Sequence, residues 1–435
     1  MKGDVEPRGD VEDQLFRRIS WHLLPLLLLC CLIAYLDRVN VSFAKLRMLD
    51  DLKLSESDYG LGAGIFFVGF VFFEVPSNLL LYRFGARRWI ATIMVAWGAL
   101  CAATLFSKTP QGFWTLRFLF GAAEAGFFPG AVYYLAQWYP LDRQGRVISL
   151  LLIGAVVGGA VDGPLCGWIL DRLEGQAALH GWQWLFLLTG ALAIAAGLAF
   201  FWTMPDKPSE LQDLRDTELR RLDESLKRGQ RTAELRSDRI ADALKQPAVW
   251  LLGAVALAVN LGIYAVVFWT PTLVAAAGVR SYTLIGWIAA LPYAAAGLGM
   301  LALGYSSDRL RERRWHIVLP CLLGVLGLLV SVRYESDLWL SIIGLTAATA
   351  GLIGSTPLIW ALASSLIRGR AAAVGFAIIN SLGGVGAFIG PYLTGLLRDL
   401  TGSTDLAFQI ISALVFCGSL SILAISPQRD TRPVS

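Results

Sequence analysis

The sequence predicts an all-α membrane protein of twelve transmembrane helices, arranged as two six-helix pseudo-repeats. Three observations carry this. The 435 residues are 56% hydrophobic and only 16% charged, with a mean hydropathy of +0.58; soluble domains carry about 25% charged residues. Apolar runs of the roughly 20 residues a span requires recur along the chain. Sequence landmarks also repeat at a single offset, as set out below.

The elements follow in order. The N-terminal stretch MKGDVEPRGDVEDQLFRR is polar and mixed in charge, unlike a cleavable signal, so the apolar run 20–45 is expected to remain as the first span. Runs 59–81, 89–107, 113–137, 146–169 and 182–204 complete an N-terminal half, 1–204. Residues 205–246 mix both charge signs at helical spacing and read as a soluble, partly helical linker. Runs 247–272, 283–305, 315–333, 338–362, 371–396 and 406–426 make a C-terminal half, 247–435. All are too long and too uniformly apolar for the alternating segments of about 10 residues that build a β-barrel.

Bases cluster in loops on one side of this arrangement: Arg83, Arg87 and Arg88; Arg143 and Arg146; Arg309, Arg311, Arg313 and Arg314; Arg368 and Arg370. Opposite loops carry fewer bases, beside acids, as in Asp171–Glu174 and Arg333–Asp337. The positive-inside rule then places both termini and the linker in the cytoplasm. These dispersed loop bases and a net charge of +4 argue against nucleic-acid binding. Cys30, Cys31, Cys101, Cys166, Cys321 and Cys417 sit in apolar stretches as free thiols, and His22, His180 and His316 form no metal set. No nucleophile–base constellation argues for an enzyme.

The halves repeat. Gly-Pro pairs begin at Gly163 and Gly390 (390 − 163 = 227), loop arginines fall at Arg83 and Arg309 (309 − 83 = 226), and Pro129 matches Pro357 (357 − 129 = 228). Parallel repeats favour a transporter whose site lies between them. At membrane depth the N-terminal half carries Asp37, Arg38, Glu74, Arg117, Glu124 and Asp162, whereas the C-terminal half offers Asn260, Tyr264, Trp360 and Asn380. The offset maps Asp37 onto Tyr264, Arg117 onto Gly344 and Glu124 onto Gly351. Intramembrane ionisable groups are costly and mark function. Arg117 and Glu124 lie two turns apart on one helical face. A buried arginine suits bidentate capture of a carboxylate, and a desolvated glutamate suits proton uptake. The plainer alternatives are that Asp37 and Arg38 end the first span and snorkel outward, that Arg117 and Glu124 form an ion pair within one helix, and that Glu74 packs helices.

Several segments together resemble the major facilitator superfamily. YRFGARRW and SDRLRERRW look like its paired loop motif, RFLFG like its fourth-helix motif and GGAVDGPLCG like its fifth-helix motif. YLDRVNVSFA, GIFFVGFVFFEVPSNLLL, RFLFGAAEAGFFPGAVYYLAQWYP and GFAIINSLGGVGAFIGPYLTGLLRDLTGS are similar to the anion:cation symporter family, which includes bacterial permeases for tartrate, sugar acids and aromatic acids. The resemblance implies alternating access and proton-coupled uptake of a small organic anion by a monomer in the bacterial inner membrane, with protons as coupling ion and no other cofactor. It implies that Asp37 and Glu124 are the protonatable carboxylates and that Arg117 clamps substrate beside Arg38, Tyr35, Tyr264, Trp360 and Asn380. Arg83, Arg87, Arg88, Asp308 and Arg309 would then clamp the cytoplasmic gate. Three departures stand out: Tyr82 where the loop motif has an acid, Phe70 where tyrosine is common, and Asp162 where glycine or an apolar residue is expected. An aromatic-acid carrier, an exchanger or uniporter on the same fold, and a non-transporting anion sensor are the alternatives.

Overall fold

The computed structural model describes residues 8–211, 244–367 and 371–425, together with 217, 218, 222, 225 and 226. Most of the expected linker, both extreme termini and the loop bases Arg368 and Arg370 lie outside the described residues. The helices are α1 (Arg8–Val39), α2 (Val41–Leu52), α3 (Glu56–Phe84), α4 (Ala86–Ala103), α5 (Pro110–Glu124), α6 (Phe127–Ala136), α7 (Leu141–Arg172) and α8 (Gly181–Thr203). After the linker come α9 (Pro247–Ala276), α10 (Tyr282–Leu310), α11 (Trp315–Arg333), α12 (Leu338–Leu366), α13 (Ala371–Thr401) and α14 (Asp405–Ser421). No strand occurs among the described residues.

Two elements differ from the sequence expectation. The run 113–137 is α5 and α6, of 15 and 10 residues, with Ala125 and Gly126 between them. Pro129 explains the break: it has no N–H to offer the Ala125 carbonyl, and its ring crowds that carbonyl. Neither piece reaches span length alone, so 11 long apolar segments remain among the described residues. The first span is longer than expected. The helix runs through Asn40, whose N–H bonds the Leu36 carbonyl at 2.9 Å, and reaches Leu52 as a 40-residue segment from Asp13. Lys53, in the left-handed region at φ 51°, ends it. At 1.5 Å per residue this helix overreaches a hydrocarbon core of about 30 Å. Asp37 and Arg38 therefore sit inside a helix rather than at its end.

Small residues set how closely the helices approach. A Cβ added to Gly121 on α5 would stand 1.9 Å from the Phe66 carbonyl oxygen of α3, and one on Gly98 of α4 would stand 2.7 Å from that of Gly190 on α8. The helices before and after the linker meet along two seams. On α3 against α13, a Cβ at Gly60 would meet the Pro391 oxygen at 2.5 Å; on α7 against α10, one at Gly163 would meet the Gly286 oxygen at 2.4 Å. The charged helix α1–α2 and the broken α5–α6 are thereby held beside these seams.

Candidate functional site

Asp37 and Arg38 are adjacent in sequence, and a helix turns about 100° per residue, so they serve different surroundings. Arg38 pairs through Nη2 with Glu124, and its Nε donates to the same carboxylate oxygen at 3.2 Å. Its Nη1 reaches the Tyr264 hydroxyl of α9 at 3.5 Å. Phe66 and Phe70 face the guanidinium at 5.4 and 5.5 Å. Arg38 thus links α5 to the helix at the matching position of the second repeat.

Arg117 is 2% exposed. Its Nε donates to the Gly62 carbonyl and its Nη2 to the Arg38 carbonyl, both at a long 3.4 Å. Phe66 and Phe120 lie 5.1 and 5.4 Å from its guanidinium carbon. Among the described residues no carboxylate lies within ion-pair distance of it. The expected alternative of an Arg117–Glu124 pair within one helix is therefore not what forms, because Glu124 is committed to Arg38. Glu124 is 1% exposed, and its Oε2 has no hydrogen-bond partner among the described residues.

Asp37 is fully buried, so it does not snorkel. Its Oδ2 accepts from Trp97 Nε1 at 3.2 Å and its Oδ1 from Cys101 Sγ at 3.7 Å. Asn40 and Thr189 close this shell with a 2.9 Å bond. No base lies within ion-pair distance of Asp37 among the described residues. Asp162 is likewise buried, accepting from Cys166 Sγ at 3.0 Å.

The remaining expected residues divide. Tyr35 stands edge-on to Tyr293 of α10, ring centroids 6.0 Å apart. Tyr264 lies against Phe67, ring centroids 4.3 Å apart and planes tilted by 56°, and stacks on Phe268 at 5.9 Å. Asn380 donates to both oxygens of Glu74, at 3.1 and 2.8 Å, so Glu74 joins the two sets of helices as well as packing. Asn260 bonds its own helix, at the Ala256 carbonyl. Trp360 packs on Phe376, with ring centroids 6.1 Å apart. The expected gate residues are not brought together. Arg87 is tied to Asp206 and Glu210 at the start of the linker, Arg83 lies over Phe84, and Arg83, Arg88, Asp308 and Arg309 are exposed.

Sequence reasoning missed Tyr293, the Trp97–Cys101–Thr189 shell and Lys45. Lys45 is 3% exposed, stands two turns beyond Arg38 on the same face, and ion-pairs with Glu56 at 2.7 Å. That spacing was available in the sequence. Tyr293 was legible as the repeat mate of Phe66 (293 − 66 = 227).

The chain matches the Major Facilitator Superfamily over residues 27–391 and 279–433. It is 41% identical over 411 residues to a Pseudomonas putida protein named for metabolite transport, NicT, covering 94% of each chain. It is 36% identical to a quinolone resistance transporter of Acinetobacter baumannii, again over 94% of each chain. It is 35% identical to an Agrobacterium vitis protein named for tartrate transport, over 96% of this chain and 92% of that one. Among solved structures, an inward-facing, occupied bacterial homologue of the lysosomal transporter Spinster shares the fold with a TM-score of 0.72 at 16% identity, covering 93% of both chains. The Escherichia coli xylose transporter XylE, partially occluded and inward open, shares it with a TM-score of 0.72 at 12% identity, covering 95% of this chain and 100% of that one.

Proposed function

From the premise that this chain belongs to the major facilitator superfamily, and is a multi-pass membrane transporter rather than an enzyme, we propose that it is a proton-coupled symporter of a small organic anion, with linker and termini in the cytoplasm of a bacterial inner membrane. The observation that carries the reading is the imbalance around Arg117: a buried guanidinium with no carboxylate partner among the described residues, two turns from a Glu124 carboxylate already held by another arginine. Uncompensated charge at membrane depth is expensive, and an anionic ligand resolves it. The relatives named for metabolite and tartrate transport agree with that chemistry.

The residues then take the following roles. The anion pairs with Arg117 between the Phe66 and Phe120 rings. Protonation of Glu124 weakens its bond to Arg38 and frees that guanidinium to shift against Tyr264, which couples the proton to the seam between the halves. Asp37, in its Trp97–Cys101 shell, is a second proton acceptor one residue away. One proton with a monoanion is electroneutral. Two protons, on Asp37 and Glu124, move net charge, which adds about 2.3 kcal/mol per 100 mV.

The Tyr35 hydroxyl, one turn before Arg38 on α1, supplies a hydrogen-bonding group for a hydroxylated carboxylate such as a tartrate, aldonate or aldarate. A second reading, an aromatic acid, is favoured by the rings about the two guanidiniums: Phe66, Phe70 and Phe120. The test is uptake into proteoliposomes of tartrate, sugar acids and aromatic acids under an inward proton gradient. Accumulation of one class that collapses with a protonophore is the expected result. Equal uptake with and without the gradient would replace symport by exchange or uniport, and binding without accumulation would make the protein a sensor.

A further inference from the structure

The side of the molecule opposite the linker is fastened by two carboxylates that obey the same repeat. Asp399, near the end of α13, accepts the backbone N–H groups of Glu56 and Ser57 at 3.0 and 2.8 Å, at the start of α3. Asp171, near the end of α7, accepts those of Tyr282 and Thr283 at 3.2 and 2.8 Å, at the start of α10, and the Ser281 hydroxyl at 3.1 Å. The carboxylates are 228 residues apart (399 − 171) and the capped residues 226 (282 − 56). One turn before each carboxylate a glycine lets the chains touch: a Cβ at Gly395 would lie 2.2 Å from the Glu56 oxygen, and one at Gly167 would lie 2.2 Å from the Tyr282 oxygen. The first N–H groups of a helix have no partner within it and carry its positive end, so a carboxylate there satisfies donors and dipole together. Each cap joins a helix of one half to a helix of the other. The close approach of α7 to α10 fades toward the linker side. A Cβ at Gly297 would still meet Val156 across the seam at 3.2 Å, whereas nothing lies within 4 Å of one at Gly304.

We propose that Asp171 and Asp399 are paired positioning residues that latch the transporter shut on the side opposite the linker, and that both caps break when that side opens. The latches are alike in capping and unlike in charge. On the Asp399 side, Arg398 pairs with Glu56 at 3.2 Å, and Glu56 pairs with the buried Lys45, whose Nζ lies 3.2 Å from the Trp269 ring centroid. On the Asp171 side, Tyr282 stands in place of Glu56 and Leu170 in place of Arg398 (398 − 228 = 170), and the Arg47 guanidinium carbon lies 5.6 Å from the Tyr282 ring centroid. The Asp171 latch is the weaker of the two.

The proposal rests on alternating access and on no particular substrate. The test places spin labels at Lys108→Cys and Ser336→Cys, exposed loop positions on that side in opposite halves, with Cys417→Ser to remove the exposed thiol. Distances are measured in the reconstituted full chain without ligand. Asp171→Asn should add a longer-distance population, Asp399→Asn a smaller one, and the double variant the largest. Glu174→Gln is the control, because Glu174 caps Gly181 at 2.7 Å within one half, and it should leave the distances unchanged. An unaltered distribution in both single variants overturns the proposal, as does an equal shift in the Glu174 control. The single variants each retain one latch, so they carry the test even where the double variant fails to fold. A substrate panel that shows no transport leaves this result untouched.

Discussion

In the N-terminal half, α5 presents Arg117 and Glu124 at membrane depth; in the C-terminal half, the corresponding positions on α12 are Gly344 and Gly351. The structure gives the reason. A Cβ at Gly351 would lie 2.1 Å from the Pro320 carbonyl oxygen, and one at Gly344 would lie 2.6 Å from the Ser331 nitrogen. The same helix positions that carry charge in one repeat are consumed by contact with α11 in the other. The pattern extends to the whole interior. Among the described residues, every fully buried charged side chain, namely Asp37, Lys45, Arg117, Glu124 and Asp162, precedes the linker, whereas the buried polar residues after it are hydroxyls such as Thr270, Ser307 and Ser355. Duplicated scaffolds need not share the chemistry. One half bears the cost of buried charge, roughly 3 kcal/mol per group at a helix centre, and the other supplies a neutral, tightly packed surface for it to move against.

The sharpest way to break that asymmetry is to weaken its unpaired charge. Arg117→Lys keeps the charge and loses the planar fork. Losing a charge-assisted bond costs about 3 kcal/mol, so uptake should fall roughly 100-fold, while monodispersity and the helical circular dichroism spectrum hold. Wild-type uptake in this variant would remove Arg117 from the substrate site.

Neutralising the partner carboxylate should change the kind of transport rather than its amount. Glu124→Gln, read by uptake against external pH, should lose accumulation under a proton gradient and keep substrate exchange between equal concentrations. In the wild type, external acidification should raise uptake, because it loads the carboxylate; in the variant the profile should be flat. Asp37→Asn run beside it assigns the second proton. A pH profile unchanged in both variants would make the carboxylates structural.

On the neutral side the expected effect is on stability. Gly351→Ala forces a methyl group into the α11 backbone, and overpacking of this kind costs about 1–3 kcal/mol. The melting temperature in detergent should fall. Gly304→Ala, where nothing lies within 4 Å of the added Cβ, should leave it unchanged.

Much of this was legible in the sequence, and the parts that were not have physical causes. The apolar runs and the 226–228 offsets (309 − 83, 357 − 129) gave the helices and their correspondence between repeats, because span length and repeat spacing are one-dimensional properties. The break in α5–α6 follows from Pro129, which was used only as a repeat landmark. Which charges pair was not legible. Arg117 and Glu124 share a face, and spacing alone invites them to pair, yet Arg38, 86 residues before Glu124, takes the carboxylate. Trp360 and Asn380 were expected at the substrate on family resemblance. Packing instead turns Trp360 to Phe376 and gives Asn380 to Glu74. Pairings between distant helices depend on packing angles that no local pattern encodes.

The smallest effect should come where the charged and neutral halves touch. Tyr264 stands at the repeat position of Asp37 and receives Arg38 at 3.5 Å, the outer limit of a hydrogen bond. Tyr264→Phe removes the hydroxyl and keeps the ring against Phe67. A bond this long to a charged donor is worth at most about 1 kcal/mol, so the exchange rate should change by no more than about five-fold. If Tyr264 serves as the surface against which Arg38 shifts, the change should fall on the rate of exchange and not on substrate affinity. An effect on affinity as large as that of Arg117→Lys would mean that Tyr264 holds substrate directly. The charge asymmetry would then stop short of the binding site, with the neutral half contributing recognition rather than a sliding surface.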